Sequence, residues 1–434
     1  MNLHANPMPS RLLSLGATSA LAAALIAVVA PSCSVLLDKE DSQCERDSDC
    51  AGQPGMRCDV AARVCVAAAT DGGEEGGDAA GGSGGGGVDG GAGAAGACTP
   101  AHPPPAPVIV DSPDSLTITL TIDNIDLGEG PPVKDAGTIA YDTLGYDLDS
   151  LCTTATENLS CKPPSWTTAA DMSDMIDGRD NNVARMLVKA GQGMLTTPTV
   201  NAGMAAGERP FGILRVTGYS GLPADNVVRA EWYVPVAKAQ GSEDAGVEGG
   251  TGAAGTGWMV DSESAFEADG AEAVGSTMVD GKAYVVDHML VAHFDRIVIN
   301  MRETPVEIAG AWVTGRLDKD SQTGEWSLKA GVMAGRMPSF ALLGLLPPMI
   351  NKILKVPVCT DSEVYSATKT MLCGYVDILR SGTPNPESEC DAASIGIGMT
   401  AGPGVIGGVA VRNDPALCPP ATDPRQDTCH TPPK

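Results

Sequence analysis

Residues Leu116 to Asp123 read LTITLTID, apolar at every second position. Successive side chains of an extended chain point to opposite faces, so Leu116, Ile118, Leu120 and Ile122 form one apolar face and the threonines the other. That is the signature of a half-buried antiparallel strand. Related patterns occur at 211–218 (FGILRVTG), 227–236 (VVRAEWYVPV), 283–301 (AYVVDHMLVAHFDRIVINM), 306–317 and 325–334. The last two are joined by a polar turn at Lys319 to Gly324, and a further strand pair flanks 402–408. Helix is expected only at 339–346, at 348–355 beyond Pro347-Pro348, and as one longer element at 361–379. These elements predict a mainly β chain. Residues 107–434 are expected to form an antiparallel β-sandwich or jelly roll with a helical insertion at about 339–380.

The N-terminal residues constrain where such a chain resides. Leu12 to Ala30 is apolar and uncharged, follows Arg11 and ends at Pro31-Ser32. This layout predicts a secretory signal over 1–32. Ala30, Ser32 and Cys33 fit a lipobox, with Pro31 unusual at −2, so Cys33 is the expected lipidation site. Acyl chains anchor stably because each buried methylene contributes ~0.8 kcal/mol. Ser34 at +2 is not the Asp that favours inner-membrane retention, so the outer membrane or cell surface is expected.

Cysteine parity agrees. The chain has 13 cysteines, and a thioether at Cys33 leaves an even number to pair. Cys44, Cys50, Cys58 and Cys65 lie in a segment too short for its own core, so 44–65 reads as a disulfide module joined to the lipid by an anchor segment, 33–43. Cys152 and Cys161 are expected to pair locally, and Cys373 with Cys390. Cys359 and Cys373 bracket the longer helix, whose ends would lie about 20 Å apart at 1.5 Å per residue. The Cα limit for a disulfide is about 7 Å. The connectivity of Cys98, Cys359, Cys418 and Cys429 stays open. Residues 66–106, rich in Gly, Asp and then Pro, read as a disordered linker, and 240–257 repeats that composition as a disordered loop.

The C-x5-C spacing with Asp49 before the second Cys resembles the four-Cys modules of myxobacterial-type surface lipoproteins. It is weakly similar to the Dickkopf N-terminal cysteine-rich pattern. Cys390 to Ala401 (CDAASIGIGMTA), after a helix bearing a Cys, also looks like that lipoprotein type. The resemblance implies an anchor, a Cys-rich module and a tethered body. It supplies no catalytic residues. The Cys-rich modules of this kind in animals bind proteins.

A formal charge of −26 discounts nucleic acid and anionic lipid as partners. Acidic residues concentrate at 142–182, with Asp142, Asp147 and Asp149 before DMIDGRDNN. That string resembles Asp-rich calcium loops, and Asp174, Asp177, Asp180 and Asn181 are the candidate Ca2+ ligands. Other matches read as chance. Ser366 to Lys369 fits S-x-x-K without its partner motifs. GPGVIG at 402–407 lacks a following helix, and Asn158-Leu159-Ser160 is a bare sequon. His288 and His293, five apart on one expected strand, face opposite ways. Glu231, Glu263 and Glu267 are the acids that could serve a glycan hydrolase. The leading expectation is a non-enzymatic envelope lipoprotein, membrane-bound through its lipid, with an envelope protein or glycan as ligand. A secreted glycan hydrolase and a protein-binding or protease-inhibiting Cys module are the alternatives.

Overall fold

The computed structural model describes residues 98–108, 115–129, 140–154, 157–167, 172–189, 195–239, 257–267, 274–302, 304–348, 358–414 and 416–433, and the backbone of two short strands before them. The signal peptide, Cys33, Cys44, Cys50, the linker up to residue 97, nearly all of the 240–257 loop and all but the first residue of the 348–355 helix lie outside the described residues. The chain divides into two units, Met1–Gly90 and Gly91–Lys434. In the first, β1 (Met56–Asp59) and β2 (Val64–Ala67) form a hairpin that sets Cys58 directly opposite Cys65 in register.

The second unit is built on eight antiparallel strands: β3 (Leu116–Asp126), β4 (Gly212–Tyr219), β5 (Asp225–Tyr233), β10 (Met278–Val286), β11 (Met289–Met301), β12 (Thr304–Lys319), β13 (Trp326–Pro338) and β14 (Ala392–Pro403). The mainly β, antiparallel expectation holds. The strands close as one barrel, in the order β10-β11-β12-β13-β14-β3-β4-β5, where two stacked layers were expected. Period-two patterning is the same for both architectures, because each strand buries one face in either. The pairing of β14 with β3, from Gly398 opposite Asp126 to Pro403 opposite Leu120, closes the barrel and removes the sheet edges.

The barrel interior is filled with side chains. Leu120, Ile122, Trp232, Phe294, Ile299, Val313 and Met333 have no solvent exposure and belong to one apolar cluster. Eight strands enclose a space that side chains can fill. Trp232, the largest of them, donates its indole N–H to the Val298 carbonyl at 2.8 Å. The apolar face points inward, whereas β3 turns threonines outward. This is the reverse of a membrane barrel, which is apolar outside. Among the described residues no helix is long and apolar enough to cross a membrane.

Several elements differ from their sequence reading. The 283–301 strand is a hairpin: Asp287 (φ 49°) and His288 (φ 64°) form a two-residue turn between β10 and β11. Two consecutive positive φ values mark the primed turn that matches strand twist. The strands around 402–408 do not pair with each other. β15 (Ile406–Ala410) instead runs parallel to β7 (Trp258–Asp261), which pairs with β6 (Pro235–Lys238). With the β8–β9 hairpin (Ala265–Glu267, Val274–Ser276) these strands cover Ile213 and Tyr233 on the outer wall.

Helix α1 (Asn182–Lys189) packs on β14 and α2 (Thr197–Ala205) on β3. Strand β13 runs directly into α3 (Ser339–Gly344), and α4 (Glu363–Cys373) is shorter than the 361–379 helix read from the pattern. Lys369 of α4 is 1 % exposed, and its ammonium donates to Asp427 at 2.7 Å. That pairing absorbs the lysine of the S-x-x-K match.

Four disulfides are formed among the described residues: Cys98–Cys152, Cys161–Cys390, Cys359–Cys418 and Cys373–Cys429. The expected Cys152–Cys161 and Cys373–Cys390 pairs are therefore incorrect, and Cys359 and Cys373 avoid each other as expected. The sequence-near choices fail because β14 starts beside the 161 segment, while the C-terminal tail folds back on α4. Residues 98–106, assigned by composition to the linker, also belong to the body. Ala101 donates to the Asp177 carbonyl at 2.8 Å, and Tyr284 donates to the Pro104 carbonyl.

Cys161–Cys390 spans 229 residues, the widest separation of the four. Replacing both cysteines by alanine should lower unfolding stability by about 2–5 kcal/mol, measured as a fall in the denaturant midpoint. An unchanged midpoint would show that the staple does not constrain the unfolded chain.

Candidate functional site

The outer face of β12–β14 carries a cap made by residues 98–107, 140–154, 157–167 and 172–182. Small residues on β14 let it approach. A Cβ on Gly396 would lie 2.7 Å from the Gly145 Cα, so the two backbones meet only because both residues are glycine. Asn181 Oδ1 accepts from Gly396 N at 2.7 Å, Asn182 N donates to Ser394 Oγ at 2.8 Å, and Tyr146 and Thr314 share a hydroxyl bond of 2.8 Å. Leu148 packs with Ala334, Ile378 and Ala392 beneath the cap.

Carboxylates crowd together in this junction. Asp147, Asp149 and Asp180 place one oxygen each within 4.8 Å of one another. They are only 5 %, 6 % and 5 % exposed. Each uses one oxygen to fold its own loop. Asp147 Oδ1 accepts from Asp149 N (3.2 Å) and Ser150 N (2.6 Å), Asp149 Oδ1 from Leu151 N (2.9 Å), and Asp180 Oδ2 from Leu148 N (2.7 Å). Asp147 Oδ2 is buried and makes no hydrogen bond. Asp174 Oδ2 accepts from Thr153 N at 2.6 Å, and Asp377 accepts from the Ser394 N–H and hydroxyl at 2.8 and 2.6 Å.

Burial favours the neutral acid throughout this group. It raises Asp147 and Asp149, and burial together with neighbouring carboxylates lifts Asp180 well above the usual carboxylate range. Asp174 is pushed up to about 8, by burial first and then by Asp149 and Asp377. Asp377 rises to about 6, where burial outweighs its two hydrogen bonds from Ser394.

Of the four ligands expected from sequence, only Asp180 enters the triad. Asp177 is exposed, adopts φ 57° and pairs with Arg179 at 2.9 Å. Both ends of the Asn181 amide are used on backbone groups: Oδ1 on Gly396, and Nδ2 on Tyr141 O (3.2 Å) and Leu144 O (3.3 Å). Asp174 lies beside the triad, anchoring Thr153. Asp147 and Asp149, part of the same acidic stretch, supply the other two carboxylates. Their D-x-D spacing was the available signal, since two Asx turns can set both side chains around one loop.

A groove of about 570 Å3 opens on the wall next to this cluster, lined by His293, Arg296, Gly310, Arg336, Arg380 and Asp391 among others. Arg336 connects the two places: its charge interacts with Asp149 and Asp180, and its guanidinium lines the groove. The guanidinium nests between Gly310 (φ 53°) and Gly382 (φ 72°). A Cβ at either would come within 2.6 Å of its Nη2. Gly310 sits in a bulge of β12, a device that re-aims nearby side chains. Arg336 Nε donates to the Arg380 carbonyl at 3.4 Å, and Arg336 forms no ion pair among the described residues. Arg380 and Arg296 both pair with Glu307, at 2.7 and 3.4 Å. His293 stacks on Trp312 with ring centroids 4.2 Å apart.

The other sequence candidates are placed elsewhere. His288 caps the β10–β11 turn beside Tyr219, away from His293 on β11. Glu231 is buried in a closed network: Oε2 accepts from Arg215 Nε (2.7 Å) and Tyr233 OH (3.0 Å), and Oε1 from Arg229 (3.0 Å). Both its oxygens are thus committed to structure, while Glu263 and Glu267 are exposed.

A carboxyl whose folded pKa exceeds its unfolded value near 4 stabilises the fold fully below that value. The contribution is lost as pH rises through the folded pKa. With Asp377 at about 6 and Asp174 at about 8, protein kept in chelator should melt several degrees lower at pH 8 than at pH 5. Calorimetry across that range checks this, and a melting temperature that climbs with pH would contradict it.

Comparison with family models, with curated proteins and with solved structures finds no match for this chain.

Proposed function

We propose that this protein is a non-enzymatic lipoprotein of the outer membrane or cell surface, anchored through Cys33. Its barrel holds a carboxylate-bearing glycan in the Arg336 groove. The disulfides indicate an oxidising, exported setting, and the apolar leader before Ala30–Cys33 supports the anchor. The observation that carries the ligand reading is Arg336. It is a guanidinium set against two glycines, forming no direct ion pair among the described residues, beside the stacked His293–Trp312 pair.

A planar guanidinium fork matches a carboxylate in two parallel hydrogen bonds. The adjoining His293 ring, backed by Trp312, offers a flat face for a sugar ring. The net charge of −26 disfavours long polyanions. A short ligand with one or two carboxylates instead responds to the local arginines, because exposed charges are screened beyond about 8 Å at physiological salt. The filled barrel leaves the outer wall as the place for such a ligand.

Titration calorimetry with short oligogalacturonates should give saturable binding that weakens at least about tenfold in Arg336→Lys, which keeps the charge and loses the fork. Equal binding of neutral oligosaccharides of the same length, or an unaffected Arg336→Lys, would contradict the ligand reading. For the anchor, Cys33→Ser should move the protein from the membrane fraction to the soluble fraction. Retention in the membrane would contradict lipidation at Cys33.

A further inference from the structure

The carboxylate triad beneath the cap has a feature that its loop structure does not explain. Asx turns account for Asp147 Oδ1 and Asp149 Oδ1, and the link to Leu148 accounts for Asp180 Oδ2. Nothing accounts for Asp147 Oδ2. It is buried on a residue 5 % exposed, in a group whose oxygens converge within 4.8 Å, and it accepts no hydrogen bond. A buried acceptor without a donor destabilises a fold by ~1–3 kcal/mol, and more when charged. The other two members of the triad are acids as well, which offer a donor only while protonated and none once ionised. The charge that would satisfy all three is a cation at their centre.

We infer that Asp147, Asp149 and Asp180 bind one calcium ion that locks the cap onto the barrel wall. The donor set is all oxygen, which selects a hard cation over zinc or copper. Three convergent carboxylates favour calcium over magnesium, because magnesium keeps most of its waters and takes one or two carboxylates. Ser160, 2 % exposed, has a buried hydroxyl oxygen that makes no hydrogen bond. Arg336 interacts with Asp149 and Asp180 as a counter-charge. One positive group is too few for three carboxylates, and a divalent ion supplies the remainder.

The ion is structural. Its three ligands are sealed from solvent, whereas a catalytic ion keeps a position open to substrate. It ties together two loops of the cap, 147–149 and 180. Residue 180 continues through Asn181 and Asn182 into the bonds with Gly396 and Ser394 of β14. Calcium binding is therefore coupled to how firmly the cap sits on the barrel.

Asp147→Asn separates a metal site from a merely acidic pocket. The amide keeps the volume and the loop-forming oxygen, removes one charge and lowers the repulsion. The variant should therefore fold and, in chelator, melt at or above the wild-type temperature. Full-length wild-type protein stripped with chelator should gain about 5 °C or more when calcium is added in excess. Magnesium at the same concentration should give a much smaller gain. Asp147→Asn should lose the calcium gain, and Asp177→Asn, which alters an exposed aspartate outside the triad, should keep it. Titration calorimetry should find one calcium per wild-type chain and none in Asp147→Asn. The inference is overturned if calcium does not raise the melting temperature, if the gain survives Asp147→Asn, or if magnesium matches calcium.

Discussion

Three carboxylates with oxygens within 4.8 Å of one another, each at most 6 % exposed, cannot all carry charge in a dry junction unless something positive joins them. Unit charges interact far more strongly there than in water, and the same burial removes the hydration that would offset them. The cap of this protein is organised around that constraint. Its loops turn on aspartate side chains, its asparagines grip β14, and its glycines let the backbones touch. The junction therefore holds only when the carboxylates are protonated or bridged. Acidity is thus a conformational variable here, in contrast with exposed acids such as Asp177 on a chain of net charge −26.

The barrel beneath supplies rigidity through geometry. Each strand pairs with its neighbour in sequence, except where β5 meets β10 beyond the β6–β9 excursion and where β14 meets β3. Those two junctions close the wall. Of the disulfides, Cys161–Cys390 ties the cap to the segment leading into β14, Cys98–Cys152 joins two parts of the cap, and Cys359–Cys418 and Cys373–Cys429 tie the C-terminal tail to the α4 region. With few aromatic residues, the interior is packed by aliphatic and methionine side chains around Trp232 and Phe294. Cross-links across long stretches of chain complement such a core.

Much of this was legible in the amino-acid order. The alternation at LTITLTID located β3 and its buried face, because one-sided burial writes a period of two into the sequence. Barrel closure was not legible, since it depends on β14 finding β3 across most of the domain, a pairing no local pattern encodes. The β10–β11 turn was hidden because Asp287-His288 is not the Asn-Gly or Asp-Gly pair that usually announces a primed turn. The acidic stretch at 142–182 was recognised as a candidate cation site, but of DMIDGRDNN only Asp180 belongs to the converging carboxylates. Asp177 is near Asp180 in sequence yet points to solvent. Asp147 and Asp149 are 33 and 31 residues away and meet Asp180 only because the cap folds over β14. The Arg336 groove left no trace in sequence, being assembled from β11, β12, β13 and the loop after α4.

Arg336 lines the groove and interacts with Asp149 and Asp180 of the cap, so an ion in the triad and a ligand in the groove would both act on Arg336. The most direct test is a crystal of the intact chain grown with calcium, with anomalous scattering used to locate the ion. The account predicts one peak among Asp147, Asp149 and Asp180, with oxygens at about 2.3–2.6 Å. A peak elsewhere, or three carboxyl groups hydrogen-bonded directly to one another with no ion between them, would contradict it.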